Sequence, residues 1–598
     1  MCGIFALLNN NDKKVGRTFL SEQFMKGEHR GPEYSHIEST MIKLLFGFHR
    51  LAINGLNVNS HQPIKIDNVA LICNGEIYNY NELYESMCVS PETQSDCEVI
   101  IHLYLKYGIE HTLQMLDGVF AFCLVDYRLS EESPKLYVAR DPYGVRPLYA
   151  LSRPRNDTTG ESVFAFASEL KQLVHVRDKF NALSTTTTIP SKQLLSRKKK
   201  KKPYTITHFQ PGTYSCFELP SGLNCAWIPI ANNAVYHTPG FQSCIANKDI
   251  SMDEILRNIQ TYLQSAVYKR CSTTERPIAC LLSGGLDSSL IAALVNEYHI
   301  TNKLPTIETY SIGLAGSPDL HYAKMVADHL GTKHTEVVLT EEDFLQAIPE
   351  VIYDIESYDT TTVRASIGNW LLGKYISNNS SAKVIFNGDG ADELAGGYLY
   401  TGCAPDTIEF DKECRRLLKD IHKFDVLRSD KSISSHGLEP RTPFLDREWT
   451  QYYLSIPLRY RFHSAGGHVE KYLIRHAFSR EHFMNSNQDT LLPEQTLWRR
   501  KEAFSDGVSK ETRSLYTIVQ EFACKALRDI LTEDGTDIMA DEVHYKPHLY
   551  PQDDEQCYYR KIFDSYFSYC EEILPYFWMP KYIAAKDSSA RTLKIYHT

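Results

Sequence analysis

The stretch Leu281-Leu282-Ser283-Gly284-Gly285-Leu286-Asp287-Ser288-Ser289 constrains the fold of this chain more than any other. An apolar run, Ile278 to Leu282, has strand character, and Leu290, Ile291, Leu294 and Val295 follow at helical spacing, so the Ser/Gly segment is a strand-to-helix turn. The first-turn N–H groups of a helix lack partners and carry the positive end of its dipole. Two glycines let the backbone close round an anion placed there. Three hydroxyls, Ser283, Ser288 and Ser289, with the Asp287 carboxylate among them, suit a pyrophosphate and its Mg²⁺; the Lys that a P-loop needs does not follow the glycines. For Ser-Gly-Gly alone a plain tight turn is the better reading, but the full run after a buried strand favours the anion site.

A chain of 598 residues is too long for one core, so about two to four domains are expected. Lys and Arg number 64 against 74 Asp and Glu, and the resulting −10 is spread along the sequence, which gives no reason to expect nucleic acid or a membrane as the main partner. Fifteen cysteines, with no Cys-x-x-Cys pair, point to reduced thiols in a cytoplasmic protein and away from zinc. The apolar start, Ile4 to Leu8, is too short for a signal peptide, and nowhere do eighteen apolar residues run together.

Met1-Cys2-Gly3-Ile4-Phe5-Ala6 sets a thiol beside the terminus. Once Met1 is removed, Cys2 carries both a nucleophilic sulfur and a free α-amine; the ordinary pKa of such an amine, about 7.7–8.0, lets it accept the thiol proton near neutrality. His29-Arg30-Gly31-Pro32-Glu33, His49 to Asn54, Asn74-Gly75-Glu76 and Ser95-Asp96-Cys97-Glu98 follow in order. Chemically they are what a glutamine site needs: Arg50 for the α-carboxylate, Asp96 and Glu76 for the ammonium, and the Asn74 amide with the Gly75 N–H for an oxyanion. Taken singly, Asn-Gly is also a hairpin turn and Arg50 a surface ion pair.

With Cys2, Leu116 to Phe122 and Ala139 to Tyr149, these motifs resemble the class II glutamine amidotransferases, N-terminal-nucleophile hydrolases built as an αββα sandwich. The resemblance implies a glutamine site of Arg50, Leu51, Ala52, Ile53, Asn54, Asn74, Gly75, Glu76 and Asp96. Such a domain is expected over 2–218. Arg197 and five lysines to Lys202 read as a solvated insertion over 191–203, a polyanion patch being the alternative, and a polar connector is expected from Ser221 to Lys248.

Beyond residue 249 apolar strands and amphipathic helices alternate, as in a doubly wound parallel sheet: Glu308 to Gly313, Tyr322 to Leu330, Thr335 to Leu339, Lys383 to Phe386. Ligands on such sheets sit at the carboxyl ends of strands, which draws attention to Ile312 and to Asn387-Gly388-Asp389-Gly390-Ala391-Asp392-Glu393. An acidic loop is the plain reading of the latter; phosphate and Mg²⁺ handling is the functional one. The Ser/Gly turn resembles the PP-loop of the ATP pyrophosphatases. Glu356 to Ser366, Leu427 to Lys431, Gly437 to Asp446 and Arg500 to Gly507 extend the resemblance to the glutamine-hydrolysing asparagine synthetases.

That resemblance implies that Leu281, Ser283, Gly284, Gly285, Asp287, Ser288, Ser289, Ile312, Asn387 and Gly388 bind ATP. It also implies that Asp287 and Asp392 hold Mg²⁺–pyrophosphate, and that Lys431, Arg441 and Lys501 supply cations to aspartate and pyrophosphate. One position departs from the family pattern: Asp389 stands where the family carries the Glu linked to adenylate formation. The implied reaction is asparagine synthesis from aspartate, glutamine and ATP through β-aspartyl-AMP, with Cys2 as nucleophile and ammonia passed internally. A synthetase domain is expected over 249–560 and a packed helical extension over 561–598. A homodimer is compatible with the sequence, which does not fix the assembly. Another PP-loop amidotransferase or β-lactam-forming relative is the alternative enzyme, against which Cys2 and its motifs count; a polyanion-binding protein is the non-enzymatic one.

Overall fold

Every residue of the strand that follows Cys2, Gly3–Leu8, is buried, so it needs cover on both faces. The computed structural model describes residues 1–128, 133–153, 162–185, 203–221, 225–238, 250–510, 512–534, 546–585, 587 and 589. The insertion expected over 191–203, with its lysine run, lies outside them up to residue 202. The chain divides into two units, Met1–His237 with Asp564–Ile573, and Thr238–Phe563 with Leu574–Thr598.

The strands of the first unit are β1 (Gly3–Leu8), β2 (Tyr34–Met41), β3 (Leu44–Arg50), β4 (Ile64–Ile66), β5 (Val69–Ile77), β6 (Gly118–Asp126), β7 (Lys135–Arg140), β8 (Tyr149–Ser152), β9 (Phe164–Ala167), β10 (Thr205–His208), β11 (Thr213–Glu218) and β12 (Ile228–Val235). They form two antiparallel sheets, ordered β10-β8-β9-β1-β3-β2 and β12-β11-β7-β6-β5-β4. Alternate residues of β1, Ile4, Ala6 and Leu8, meet Ile72, Ala121, Cys123 and Val138 in one core between the sheets. The other face of the second sheet, through Leu71, Cys73 and Phe122, packs on helices Val99–Tyr107 and Ile109–Met115. On the outer face of the first sheet, Phe24 of helix Arg17–Met25 meets Phe5 edge-on at 6.2 Å. A Cβ on Gly47 would lie 2.7 Å from Phe24, so only glycine lets this helix seat. The result is the expected αββα sandwich.

β12 extends this unit beyond residue 218 and replaces part of the expected polar connector. Its residues are mostly exposed, as at a sheet edge, which is why the sequence there reads as linker. Residues 564–573 also belong to this unit: Arg177 donates to the Ser568 carbonyl (2.6 Å), the Tyr569 carbonyl (3.1 Å) and Cys570 Sγ (2.9 Å). The tail expected over 561–598 as one helical extension is therefore divided, and helix Asp554–Tyr566, which begins before it, leads into it.

The second unit contains β13 (Ile278–Leu281), β14 (Glu308–Leu314), β15 (Lys333–Leu339), β16 (Val384–Phe386) and β17 (Glu439–Arg441), all parallel, in the order β15-β14-β13-β16-β17. The chain builds outward from β13 to β15, then returns to the other side of β13. The order therefore reverses between β13 and β16, and crevices open at such switch points. β17 was legible only as a motif, being a three-residue edge strand that contains Pro440. Helix Leu286–Thr301 follows β13, and helix Thr360–Asn379 precedes β16. Among the described residues no helix is long and apolar enough to cross a membrane.

Candidate active sites

In the first unit the register Gly3↔His49 brings the start of β1 beside the end of β3. Cys2 Sγ lies 3.6 Å from the Leu51 carbonyl, and Arg30 Nε donates to the Cys2 carbonyl at 3.0 Å while its Nη1 meets Glu169 at 2.9 Å. The turn after β3 carries Leu51, Ala52 and Ile53, all buried, and Asn54. Glu33 accepts from the Ala52 N–H at 2.7 Å, and Asn54 donates to Glu76 at 2.7 Å, tying this turn to the end of β5. There Asp96 accepts from the Ile77 N–H at 2.7 Å. Thus Cys2, the 51–54 turn, Glu76 and Asp96 are linked by a continuous set of contacts. Arg50 donates to the Asn57 carbonyl at 3.0 Å and to the Gly55 carbonyl.

Asn74 is fully buried, and among the described residues neither its Oδ1 nor its Nδ2 has a hydrogen-bond partner. An unpaired buried amide costs about 1–3 kcal/mol, and Asn74 is set apart only by this unused donor and acceptor. A Cβ at Gly75 would lie 2.5 Å from the Val119 carbonyl, which explains glycine there. Beside Arg50, His49 bonds Ser35 Oγ (2.7 Å) and the Phe24 carbonyl (2.9 Å), and burial pushes its imidazole down to about 4.

In the second unit one cleft opens at the carboxyl ends of β13, β14 and β16, lined among others by Leu281, Ser283, Gly285, Asp287, Ser288, Ile312, Asn387, Gly388, Asp389, Asp392 and Lys501. Gly284 has φ +69°, and a Cβ there would lie 2.5 Å from the Ala323 nitrogen. Ser283 and Ser288 hydroxyls meet at 3.0 Å across the turn, and the buried Ser289 hydroxyl has no partner among the described residues. A Cβ on Gly388 would lie 2.7 Å from the Ser288 nitrogen, so the two glycine loops abut backbone to backbone.

Four charges then meet. Lys471 Nζ lies 2.5 Å from both Asp287 Oδ2 and Asp392 Oδ1, and Lys501 Nζ lies 2.6 Å from Asp392 Oδ2 and 3.7 Å from Asp287. Burial opposes ionisation of Asp392, but the two ammonium groups outweigh it and hold the carboxyl well below the usual range. The opposite balance raises Lys501 above its ordinary value: burial works against the charge, Asp392 and Asp287 restore it. Both groups are charged at neutral pH. Asp287 Oδ1 is buried without a hydrogen-bond partner among the described residues. Further along, Arg428 bonds Asp389 at 3.0 Å and Asp425 at 2.7 Å, while Asp389 Oδ2 is buried and unpaired among the described residues. Burial and Asp425 push Glu393 well above the carboxylate range, with the Tyr398 hydroxyl in reach of both.

Residues 1–221 match the family model described as a glutamine amidotransferase domain, and 258–408 with 402–572 match that for asparagine synthase. The chain is 40% identical to the glutamine-hydrolysing asparagine synthetase of Gallus gallus over 610 aligned positions, covering 100% of this chain and 99% of the relative. It is 38% identical to that of Homo sapiens, with the same coverage. The chain belongs to the glutamine-hydrolysing asparagine synthetase family. Among solved structures, an NMN synthetase from Francisella tularensis is similar at 12% identity and TM-score 0.23, covering 56% of this chain and 100% of that one. An NH3-dependent NAD synthetase from Campylobacter jejuni is similar at 19% identity and TM-score 0.17, covering 25% and 61%.

Two of the cations expected in this synthetase's cleft are elsewhere. Lys431, buried on helix Asp425–Ser434, lies 2.6 Å from Glu356. Arg441, buried on β17, is committed to Glu439 (2.9 Å), the Thr273 carbonyl (3.0 Å) and the Arg270 carbonyl. Neither lines the cleft. The cations found there instead include Lys471, Arg428 and Arg499, of which Arg499 bonds Asp319 at 2.8 Å. Lys471 carries no local motif; its one trace in sequence is Gly397, where a Cβ would lie 2.0 Å from Lys471 Cε.

Proposed function

We propose that this enzyme, a carbon–nitrogen ligase, makes asparagine from aspartate, glutamine and ATP by two coupled half-reactions, one in each unit. In the first, Cys2 Sγ attacks the side-chain amide carbon of glutamine, the Cys2 α-amine taking the thiol proton. Ammonia leaves, and water cleaves the thioester to glutamate. Arg50 pairs with the substrate's α-carboxylate, Glu76 and Asp96 hold its ammonium, and Leu51 to Asn54 shape the wall. Asn74 and the Gly75 N–H steady the oxyanion, and the partnerless Asn74 amide supports that role.

In the second unit the β-carboxylate of aspartate attacks the α-phosphorus of ATP, pyrophosphate leaves, and ammonia displaces AMP from the aspartyl carbon. Leu281, Ile312, Asn387 and Gly388 frame the nucleotide, and Ser283 to Ser289 cradle pyrophosphate on a helix N-terminus. Lys471 and Lys501 neutralise its charge. Mg²⁺ fits the same place, since two carboxylates plus phosphate oxygens are its usual ligands and Asp287 Oδ1 is buried without a hydrogen-bond partner among the described residues. There it would draw charge off the leaving pyrophosphate. Asp389, oriented by Arg428, takes the place of the family's Glu in adenylate formation.

The observation that carries this reading is the pairing of Asp287 and Asp392 by Lys471 and Lys501 at the mouth of the Ser/Gly turn. Asp287→Ala should retain glutaminase activity yet form no AMP from aspartate and ATP, with glutamine or ammonium alike. AMP formation at the parental rate in that variant would refute the assignment.

A further inference from the structure

The last residues described in the chain reach into the second unit. Arg364, on the buried helix Thr360–Asn379, donates to Glu555 through Nε (2.7 Å) and Nη2 (2.9 Å), and to Asp587 through Nη1 (3.2 Å) and Nη2 (2.6 Å). Both carboxylates thus engage one guanidinium fork to fork, and all three side chains are buried. Asp587 Oδ1 also accepts the Ser589 N–H at 2.6 Å, which ties the two residues to each other. The Ser589 hydroxyl then lies 2.9 and 3.0 Å from the two oxygens of Asp506, which is itself fully buried.

Arg364 and Asp506 belong to the two elements that wall the cleft. Thr361, Ala365 and Asn369 line it from the helix of Arg364. Lys501, Phe504 and Ser505 line it from the segment of Asp506. A Cβ on Gly368 would lie 2.9 Å from the Phe504 ring, so helix and segment pack without slack, and Lys501 is the cation at Asp392. The tail also fixes the start of the helix: the Trp578 N–H donates to Asp359, its N-cap, at 2.7 Å. A buried cluster of two carboxylates on one arginine is a poor source of stability, because desolvation offsets most of the attraction. Its geometry spans the helix of Arg364 and, through Ser589, the segment that carries Lys501.

We propose that Asp587 and Ser589 are positioning residues of the synthetase half-reaction, a C-terminal latch that holds the Lys501–Asp506 segment against helix Thr360–Asn379 and so places Lys501 over the phosphate site. The inference rests on the reading of this cleft as the ATP and aspartate site. Asp587→Asn leaves Arg364 and Glu555 as a balanced pair, and Ser589→Ala removes one hydroxyl, so both variants should fold.

The test measures aspartate-dependent pyrophosphate release, glutamine hydrolysis and the melting temperature for Ser589→Ala, Ser589→Thr, Asp587→Asn and Lys501→Ala in the full chain. A displacement of about 1 Å costs up to about 100-fold. Ser589→Ala and Asp587→Asn should therefore lower kcat/KM for ATP in pyrophosphate release by about 10- to 100-fold and leave glutamine hydrolysis at the parental value, and Ser589→Thr should restore release. Parental release in Ser589→Ala and Asp587→Asn, with Lys501→Ala inactive, overturns the latch and leaves the cleft reading standing. Parental release in Lys501→Ala overturns both. Loss of both activities together with a lowered melting temperature also overturns the latch, since it shows a merely structural tail.

Discussion

Arg428 Nη2 lies 3.0 Å from Asp389 Oδ1, while the second oxygen of Asp389 is buried and has no partner among the described residues. The carboxylate is thus oriented by an arginine that it shares with Asp425. Asp is one methylene shorter than the Glu that the family pattern places here, a retreat of roughly 1.5 Å, worth about 100-fold in rate if nothing compensates. Asp389→Ala should abolish aspartate-dependent pyrophosphate release and spare glutamine hydrolysis. Release at the parental rate would move the role to a neighbour such as Glu393.

Lys471 stands between two carboxylates, its side chain almost fully buried. Lys471→Ala leaves Asp287 and Asp392 to Lys501 alone, which lies 2.6 Å from one and 3.7 Å from the other. Removing one partner of a buried ion cluster costs about 3 kcal/mol, and pyrophosphate release should fall more than about 100-fold. Gly397→Ala should have the same sign, because its Cβ would press on Lys471 Cε. Denaturant unfolding and release assays on the two variants check both statements; parental values for Lys471→Ala would contradict them.

How much of this was legible in the sequence follows the distance over which each feature is specified. The Ser/Gly turn and the Asn387–Glu393 loop are local, flanked by their own strands, and both fell where the pattern put them. Lys471 reaches Asp287 across 184 residues, and no periodicity reports such a meeting. Lys431 and Arg441 show the converse: a positive charge is visible in sequence, but Glu356, Glu439 and the Arg270 carbonyl that consume it are not. β12 hid because an exposed edge strand has the composition of a linker.

The pH dependence follows from His49, fully buried, whose imidazole burial pushes down to about 4 against an ordinary value of about 6.5. A depressed histidine pKa means that the folded state resists protonation. The stabilisation is therefore complete above about pH 6.5 and is lost as pH falls from there to about 4, to the extent of about 3 kcal/mol. His49→Gln should remove that part of the slope. Amide exchange protection of β3 between pH 7 and 4 measures it; an unchanged slope in the variant would assign the loss to other groups.

Cys2 cannot use its own amine as a base while that nitrogen is bonded to Met1. Active enzyme should therefore begin at Cys2. Intact-protein mass spectrometry checks the terminus, and full glutaminase activity in protein retaining Met1 would exclude the amine as base.

The most direct test of two coupled sites is asparagine formation by Cys2→Ala, measured with aspartate, ATP and either glutamine or ammonium as nitrogen source. On the proposed mechanism the sulfur is the nucleophile of glutamine hydrolysis and takes no part in adenylate formation or its ammonolysis. The account predicts that asparagine formation from glutamine is abolished while formation from ammonium stays at the parental rate. Undiminished synthesis from glutamine in Cys2→Ala would contradict it.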